Sequence, residues 1–365
     1  MIQLTIITAK GKKLILTTLV VIVMGLLQSC ATIGYYSQSV NGHMSIWLGR
    51  QDIERLIKNK GADKITEKAR VWFKRVLEIR AFATQSLALP DNYSFKSYSD
   101  IGRSHVLWNV VAAPEFSLTP KRFCFPVAGC LSYKGYFAKR KALREAQRLK
   151  ALGYDVYVGP VSAYSTLGWF ADPILSSFAA WSEDVLSGLM FHELAHQRVY
   201  IKGDTAFNES FATVVEIEGI RRWTNHRKQA DLAKRYMLNK KHETEFIAMV
   251  LKHRKKLAKL YQSTLKDPVK RRHKITIFNQ LRTEYTNLKK KWGGYRGYDN
   301  WMSHSLNNAK LASLSTYYKF VPAFQYLLKH NRNDMPAFYR AVKKIGAMPV
   351  AQRHAVLVKM MKQTS

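Results

Sequence analysis

Hydrophobic positions three or four residues apart recur along most of the chain, and this spacing is typical of amphipathic helices. Residues 51–89 follow it until Pro90 ends the run, and residues 139–152 follow it until Gly153. The segment from Asn300 to the C-terminus follows it again. The pattern therefore predicts that helices make up the greater part of the fold.

Two short segments favour strands instead. Residues 106–112 form an apolar, β-prone run, and residues 154–165 alternate apolar and small residues around an interruption at Gly159-Pro160. Further on, Asp172-Pro173 predicts the start of another helix. Together the segments predict a predominantly helical α+β fold with a small sheet.

The segment 191–213 carries the pattern with the clearest chemical meaning. His192 and His196 are four residues apart, so a helix places both imidazoles on one face, where they can bind a single divalent ion. Glu193 then lies beside that ion as a general base for a metal-bound water. The alternative is an ordinary amphipathic helix with two partly buried histidines.

A catalytic zinc site needs a third protein ligand and an open fourth position. Gly203 is a suitable end for the first helix, and Asp204 or Thr205 can cap a second helix that carries Glu209 about one turn in. Only twelve residues separate His196 from Glu209. The second helix can therefore return alongside the first, which makes Glu209 the candidate third ligand for one Zn²⁺ per chain.

A ligating histidine usually donates its free N–H to an acceptor, often a carboxylate. Glu216 lies two turns after Glu209 on the same helical face and is the candidate acceptor for the N–H of a ligating histidine. A surface or helix-pairing carboxylate is an equal alternative for Glu216.

Several motifs carry a resemblance to a known family. The sequence His-Glu-Leu-Ala-His followed by Asn-Glu-Ser-Phe-Ala resembles the gluzincin arrangement, in which a downstream glutamate completes the zinc site. More narrowly, the chain resembles a family of bacterial envelope lipoproteins named "putative aminopeptidase". The supporting motifs are Cys-Phe-Pro-Val-Ala-Gly-Cys at 124–130, Tyr-Lys-Gly-Tyr-Phe at 133–137, Ala-Tyr-Ser-Thr-Leu-Gly-Trp-Phe at 163–170 and Leu-Asn-Asn-Ala at 306–309.

The resemblance spans nearly the whole mature chain and implies zinc-dependent hydrolysis of peptide bonds in a zincin-like fold. The family name is itself a prediction, so it supports metallopeptidase chemistry better than exopeptidase specificity. Thermolysin-like gluzincins have an aspartate four residues after the ligand glutamate, where this chain has Thr213. The identity of the residue that accepts the N–H of the ligating histidine therefore stays open.

The resemblance also implies a cleft for a peptide substrate. Residues 154–165 match the edge strand along which a peptide can lie by strand addition, although a core strand ending in a turn is the alternative. Tyr317 lies in a stretch that resembles a C-terminal motif of the family and is expected either to donate a hydrogen bond to the oxyanion or to pack in the core. The residues expected to line the cleft are Tyr164, Ser165, Asn307 and Asn308.

The N-terminus predicts export. Three lysines precede an apolar run at residues 14–27, which is too short for an ordinary membrane-spanning helix of about 20 residues. Leu27-Gln28-Ser29-Cys30 resembles a lipobox, which implies a signal peptide over 1–29 and a lipid on Cys30 that binds the membrane. A simple secretory signal is the alternative. Ala31 favours the outer membrane, facing the periplasm.

If Cys30 is acylated, Cys124 and Cys130 remain as a pair in an oxidising compartment, which predicts a disulfide. Two reduced, buried thiols are the alternative. A metal site at this pair is disfavoured, because the spacing lacks the tight Cys-x-x-Cys form.

Charge adds a further expectation. Residues 221–291 contain 22 Lys and Arg against 5 Asp and Glu, half of the chain's net +34, and their apolar stripes predict a basic helical hairpin. Anionic lipid or an envelope polymer is the expected counter-charge, and a solvated face is the plain alternative. No nucleic-acid partner is expected, since the motifs of such folds are absent from the sequence.

The 336 residues that follow the expected signal peptide, 30–365, are interpreted as a metallopeptidase domain that includes the hairpin. The sequence favours an aminopeptidase anchored in the bacterial envelope. An envelope endopeptidase acting on proteins or peptidoglycan stem peptides is one alternative. A non-catalytic basic binding lipoprotein with a vestigial zinc site is the other.

Overall fold

The computed structural model of the protein describes residues 34–59, 65–125, 129–163, 166, 170–314 and 319–363. The chain divides into two compact units between Leu48 and Gly49. In the first unit, residues 34–48 are helical and are called α1. Within the described ranges, no helix combines the length and the apolar character needed to cross a membrane.

The second unit is predominantly helical and carries short strands. The strands are β1 (Arg50–Asp52), β2 (Ser97–Ser99), β3 (Leu107–Ala113), β4 (Phe123–Phe125), β5 (Gly129–Leu131), β6 (Lys134–Tyr136), β7 (Asp155–Val161) and β8 (Ile174–Leu175). The helices are α2 (Ile53–Lys58), α3 (Glu67–Leu87), α4 (Lys139–Ala151), α5 (Glu183–Arg198), α6 (Thr205–His226), α7 (Ala230–Gln262), α8 (Asp267–Lys291), α9 (Asp299–Ser303), α10 (Asn308–Ala312), α11 (Val321–His330), α12 (Met335–Gly346) and α13 (Val350–Met361). The expected α+β class with small sheets is confirmed.

The described strands form three small sheets, ordered β1-β2-β8, β6-β3-β7 and β4-β5. In the second sheet β3 is central and pairs antiparallel with β7 from Leu107↔Val161 to Ala113↔Asp155. β7 lies at the sheet edge and continues through Gly159-Pro160 rather than being interrupted there. An edge strand tolerates proline because the missing N–H need not serve a second neighbour.

The prediction that a helix begins at Asp172-Pro173 is wrong. Ile174 and Leu175 form β8, pair in parallel with Tyr98 and Ser99 of β2, and are both buried. A single 3-10 turn at Ser176–Phe178 follows. Pairing with a distant strand and burial of two apolar side chains outweigh the local helix-start signal here.

Helices α5 and α6 pack antiparallel. Trp223 donates to Glu183 at one end of the pair, with 2.9 Å between Nε1 and Oε1, and His196 lies beside Glu209 at the other end. Between these ends, a Cβ on Gly219 would lie 2.5 Å from the ring of Phe191. The glycine therefore permits an approach of the two helices that a larger residue would block.

The boundaries around this pair differ from the sequence expectation. α5 ends at Arg198, before Gly203, whose φ of +83° makes the turn into α6. Asp204 caps α6 as expected, accepting from the backbone N–H of Phe207 at 3.1 Å. Because α6 continues to His226, the basic hairpin begins at Ala230 rather than at residue 221.

Helices α7 and α8 form the hairpin and pack against each other along a seam of apolar side chains. Buried residues of this seam include Phe246, Val250, Leu257, Phe278, Leu281 and Tyr285. The Gly-rich segment 293–298 packs against α7: Tyr298 stacks on Phe246 with ring centroids 4.0 Å apart, and the ring centroid of Tyr295 lies 4.5 Å from that of His242.

The C-terminal helices support α6. Phe324 of α11 and Phe338 of α12 pack against Phe211 of α6. At the start of α6, Arg353 of α13 pairs with Asp204 at 2.7 Å, and this pair is buried. Residues near the C-terminus therefore hold the helix that carries Glu209.

Cys124 and Cys130 lie opposite each other on β4 and β5 and form a disulfide. We expect Cys124→Ser combined with Cys130→Ser to lower the free energy of unfolding by about 2 kcal/mol, because the small loop loses its constraint in the unfolded chain. Chemical denaturation of both proteins measures this difference. Mass spectrometry after alkylation, with and without reduction, tests the bond, and two freely alkylated thiols in oxidised protein would contradict it.

Candidate metal centre

Two helices bring three ligand-type side chains to one point. His192 and His196 project from α5, and Glu209 projects from the second turn of α6. The Nε2 atoms of the two histidines are 3.2 Å apart, and carboxylate oxygens of Glu209 lie 3.3 Å from His192 Nε2 and 3.6 Å from His196 Nε2. Ligand atoms of all three residues lie within 4.8 Å of one another.

A fourth residue, Glu216, contacts the second ring nitrogen of His192. Glu216 Oε2 lies 3.1 Å from His192 Nδ1. Burial alone would raise the pKa of Glu216, but the charge of Lys240 and the hydrogen bond with His192 hold that pKa at about 2. The carboxylate therefore carries no proton at neutral pH, so Nδ1 of His192 must be the donor. With Nδ1 hydrogen-bonded to Glu216, the Nε2 atom of His192 faces His196 and Glu209.

Glu216 is largely enclosed, with 13% of its side-chain surface exposed, and has partners on α7. Tyr236 donates its hydroxyl to Oε1 at 2.7 Å, and Lys240 Nζ lies 3.0 Å from the same oxygen. A buried carboxylate is stable only when its oxygens are paired and hydrogen-bonded. Tyr236 and Lys240 supply this pairing, and sequence analysis had missed both residues because nothing in the local pattern links α7 to Glu216.

The two histidines differ in their electrostatics. Burial and the neighbouring His192 lower the pKa of His196 to about 4. Burial also opposes a charge on His192, but Glu209 and Glu216 raise its pKa to about 10. The carboxylates therefore favour one positive charge where the Nε2 atoms and Glu209 meet.

Glu193 follows His192 on α5 and is half-buried. Its negative charge adds to the effects that raise the pKa of His192. The expected general base is therefore close to the ligand cluster, on the same helix and in the same electrostatic environment.

Two tyrosines that the sequence had not singled out also border the cluster. The ring of Tyr200 makes an edge contact with His196, with 6.1 Å between centroids, and 48% of the Tyr200 surface is exposed. Tyr133 follows β5, and burial, Tyr200 and Glu209 raise the pKa of its hydroxyl. Its place in the Tyr-Lys-Gly-Tyr-Phe motif was the one sequence signal that pointed to it.

A polar clamp fixes the end of α5 beside His196. Gln197 accepts from Asn92 at 2.7 Å and donates to Ser94 at 3.2 Å. Arg80, which is buried, in turn donates to the backbone carbonyls of Asn92 and Ser94. This contact between distant segments limits rotation of the helix that carries both histidines.

Asn307 and Asn308, which were expected to line the cleft, form hydrogen bonds within the fold. Asn308 is fully buried, donates to the carbonyls of Pro114 and Glu115, and accepts from Tyr261. Asn307 caps α10 and donates to the carbonyl of Val156. These hydrogen bonds fasten α10 to the ends of β3 and β7, which satisfies polar groups that the fold buries.

Four other predicted residues lie outside the part of the chain that the structure describes. These are Cys30, Tyr164, Ser165 and Tyr317.

Comparison with known proteins agrees with the extent of the sequence resemblance. The model of a protein family described as "Putative aminopeptidase" matches residues 34–357. No curated protein matches the chain, and no solved structure matches it. The family match includes α5, α6 and the basic hairpin, and it covers most of the chain. The protein therefore belongs to the family described as "Putative aminopeptidase".

Proposed function

We propose that the protein is a zinc-dependent metallopeptidase of zincin type that removes N-terminal residues from peptides. The observation that carries this proposal is the convergence of His192, His196 and Glu209, with Glu193 beside them. Membership of the family supports an aminopeptidase activity.

The three side chains fit a zinc ion. In a tetrahedral site with metal–ligand distances of about 2.0–2.2 Å, neighbouring ligand atoms lie roughly 3.3–3.6 Å apart. Here the two Nε2 atoms are 3.2 Å apart, Glu209 Oε2 lies 3.3 Å from His192 Nε2, and the other Glu209 oxygen, Oε1, lies 3.6 Å from His196 Nε2. Two imidazoles and one carboxylate are also a donor set that zinc favours, and Glu216 supplies the acceptor that a ligating histidine usually has.

His192, His196 and Glu209 would hold the zinc ion, which would supply a Lewis acid for the peptide carbonyl and lower the pKa of water. Glu193 accepts the proton of the attacking water and transfers it to the departing amine. Tyr133 and Tyr200 border the same point, and a phenol at that position can donate a hydrogen bond to the oxygen of the substrate carbonyl as charge develops on it. Tyr317 keeps the same proposed role on sequence grounds.

The cellular setting also remains a proposal. A signal peptide over residues 1–29 and a lipid on Cys30 would place the enzyme at a membrane of the bacterial envelope, facing the periplasm. There the substrates would be peptides of that compartment.

The first prediction concerns metal content. We expect His192→Ala, His196→Ala and Glu209→Ala each to abolish stoichiometric zinc, because each removes a ligand. Glu216→Ala keeps the three ligands but loses the acceptor that orients His192, so zinc affinity should fall about 10- to 100-fold. Metal analysis after dialysis against graded chelator measures both effects. His304 is exposed, so His304→Ala serves as the control and should keep its zinc. A full zinc content in Glu209→Ala would rule out Glu209 as the third ligand.

The second prediction separates binding from chemistry. Glu193→Gln preserves side-chain size but removes the proton acceptor, so turnover should fall by at least about 10² to 10⁴ while one zinc per chain is retained. Peptide hydrolysis and metal content are measured on the same samples. Glu54 is exposed, so Glu54→Gln is the control for the same chemical change away from the centre. Unchanged hydrolysis by Glu193→Gln would show that this residue is not the base and would end the proposed mechanism.

The third prediction concerns the position of cleavage. An aminopeptidase should hydrolyse a peptide with a free N-terminal amine and leave its N-acetylated counterpart intact, because acetylation removes the positive charge that the enzyme recognises. Mass spectrometry of the products of both peptides gives the answer. Internal cleavage at equal rates in the two peptides would instead identify an endopeptidase, the second candidate activity.

A further inference from the structure

The end of the α7–α8 hairpin carries most of its charge without acidic partners. Residues 252–274, which include the turn, contain ten Lys and Arg and one Asp. Five of the basic residues are exposed and form no ion pair with any acid in the described ranges, and we call these five the basic tip. They are Lys255, Lys256, Lys259, Lys266 and Arg272.

Three other basic residues of the same segment pair with acids. Lys252 pairs with Glu284, Arg271 with Glu115, and Lys274 with Asp155. The first two pairs are exposed, and exposed ion pairs contribute little to stability but neutralise local charge. The basic tip is therefore distinct from the paired residues, since folding does not account for its charge.

The tip residues share the outer surface of the hairpin. On α7, Lys255 and Lys259 lie one turn apart, opposite the buried Val250 and Leu257. On α8, Arg272 lies one turn before Thr276, on the side opposite the buried Phe278. Both stripes face solvent, so their charges can act on one partner.

A shallow groove of about 530 Å³ lies between α7 and α8 at this part of the hairpin. Lys256 borders it and donates to Gln280 across it at 2.9 Å. Hydroxyl and amide groups of Thr276, Asn279 and Thr283 line the same groove. Glu284 also lines the groove and is paired with Lys252, so the ammonium group of Lys256 and the neutral donors of Asn279 and Thr283 are the groups that suit the phosphate oxygens of a head group.

Two large apolar side chains are exposed at the same end. Leu265 lies in the turn between the helices and is 43% exposed, and Ile275 on α8 is 60% exposed. A soluble polyanion would leave both side chains in water. A bilayer surface would take up their apolar area while its head groups contact the lysines, which is the typical composition of an interfacial helix.

We propose that the basic tip, together with Leu265 and Ile275, docks the protein on a membrane surface that contains anionic phospholipid. The partner is the phosphate-bearing face of the bilayer, and the turn between α7 and α8 is the point of contact. This inference concerns a surface separate from the candidate metal centre and does not depend on the peptidase activity.

The test uses the full chain with vesicles of phosphatidylcholine alone or mixed with phosphatidylglycerol. Backbone amide exchange in the turn at residues 263–266 gives a local readout, which attachment elsewhere in the chain does not reproduce. We expect slower exchange at the turn with the anionic vesicles only, and loss of this protection at high salt. Equal protection on neutral vesicles, or no protection on either, would overturn the proposal.

Matched triple variants test the position of the contact. Lys255→Gln, Lys256→Gln and Lys259→Gln together should reduce affinity for anionic vesicles on the order of a hundredfold, as expected for three charges near the surface. The control combines Lys234→Gln, Lys241→Gln and Lys290→Gln, which removes the same charge from exposed residues at the other end of the hairpin. An equal loss in both triples would indicate non-specific attraction and contradict a docking site at the tip.

The apolar residues distinguish a membrane from a soluble polymer. Leu265→Ser should weaken binding to anionic vesicles several-fold and leave binding to soluble polyphosphate unchanged. If Leu265→Ser has no effect on the vesicles, or if the chain binds polyphosphate and not the vesicles, a polyanion replaces the membrane as the partner and the proposal is wrong.

Discussion

The close antiparallel contact of α5 and α6 is the constraint on which the candidate centre depends. Gly219 admits the ring of Phe191, so the helices approach closely enough for Glu209 to meet His192 and His196. The hydrogen bond from Trp223 to Glu183 resists sliding of α5 along α6, and the hydrogen bond from Asn92 to Gln197 holds the end of α5 against the segment that follows α3. A shift of one helical turn, about 5.4 Å, would separate the ligands.

Burial of Glu216 links this centre to the basic hairpin. An unpaired carboxylate in that position would be costly, and Tyr236 and Lys240 of α7 make it tolerable. The base of the hairpin thus completes the surroundings of His192. Among the residues that the structure describes, the basic tip has no comparable acidic partner, so the two ends of the hairpin have separate physical roles.

Much of the local structure could be predicted because it depends on neighbouring residues. The spacing of His192 and His196 and the cap at Asp204 were apparent, since a helix repeats every 3.6 residues and its first N–H groups need acceptors. β3, α4 and the helical hairpin followed from apolar periodicity in the same way. Glu209 could be named because a short link limits how far the second helix can move.

Other features depended on contacts between residues far apart in the chain. Ile174 and Leu175 became β8 because β2 was available to pair with them, and Asn308 joined α10 to the sheet because buried carbonyls there needed a donor. The pairing of Glu216 with Lys240 arose in the same way. The sequence by itself therefore determined the helices, the capping and the ligand types. The tertiary structure alone decided which distant side chains surround them, because pairing and burial depend on the packing of the whole unit.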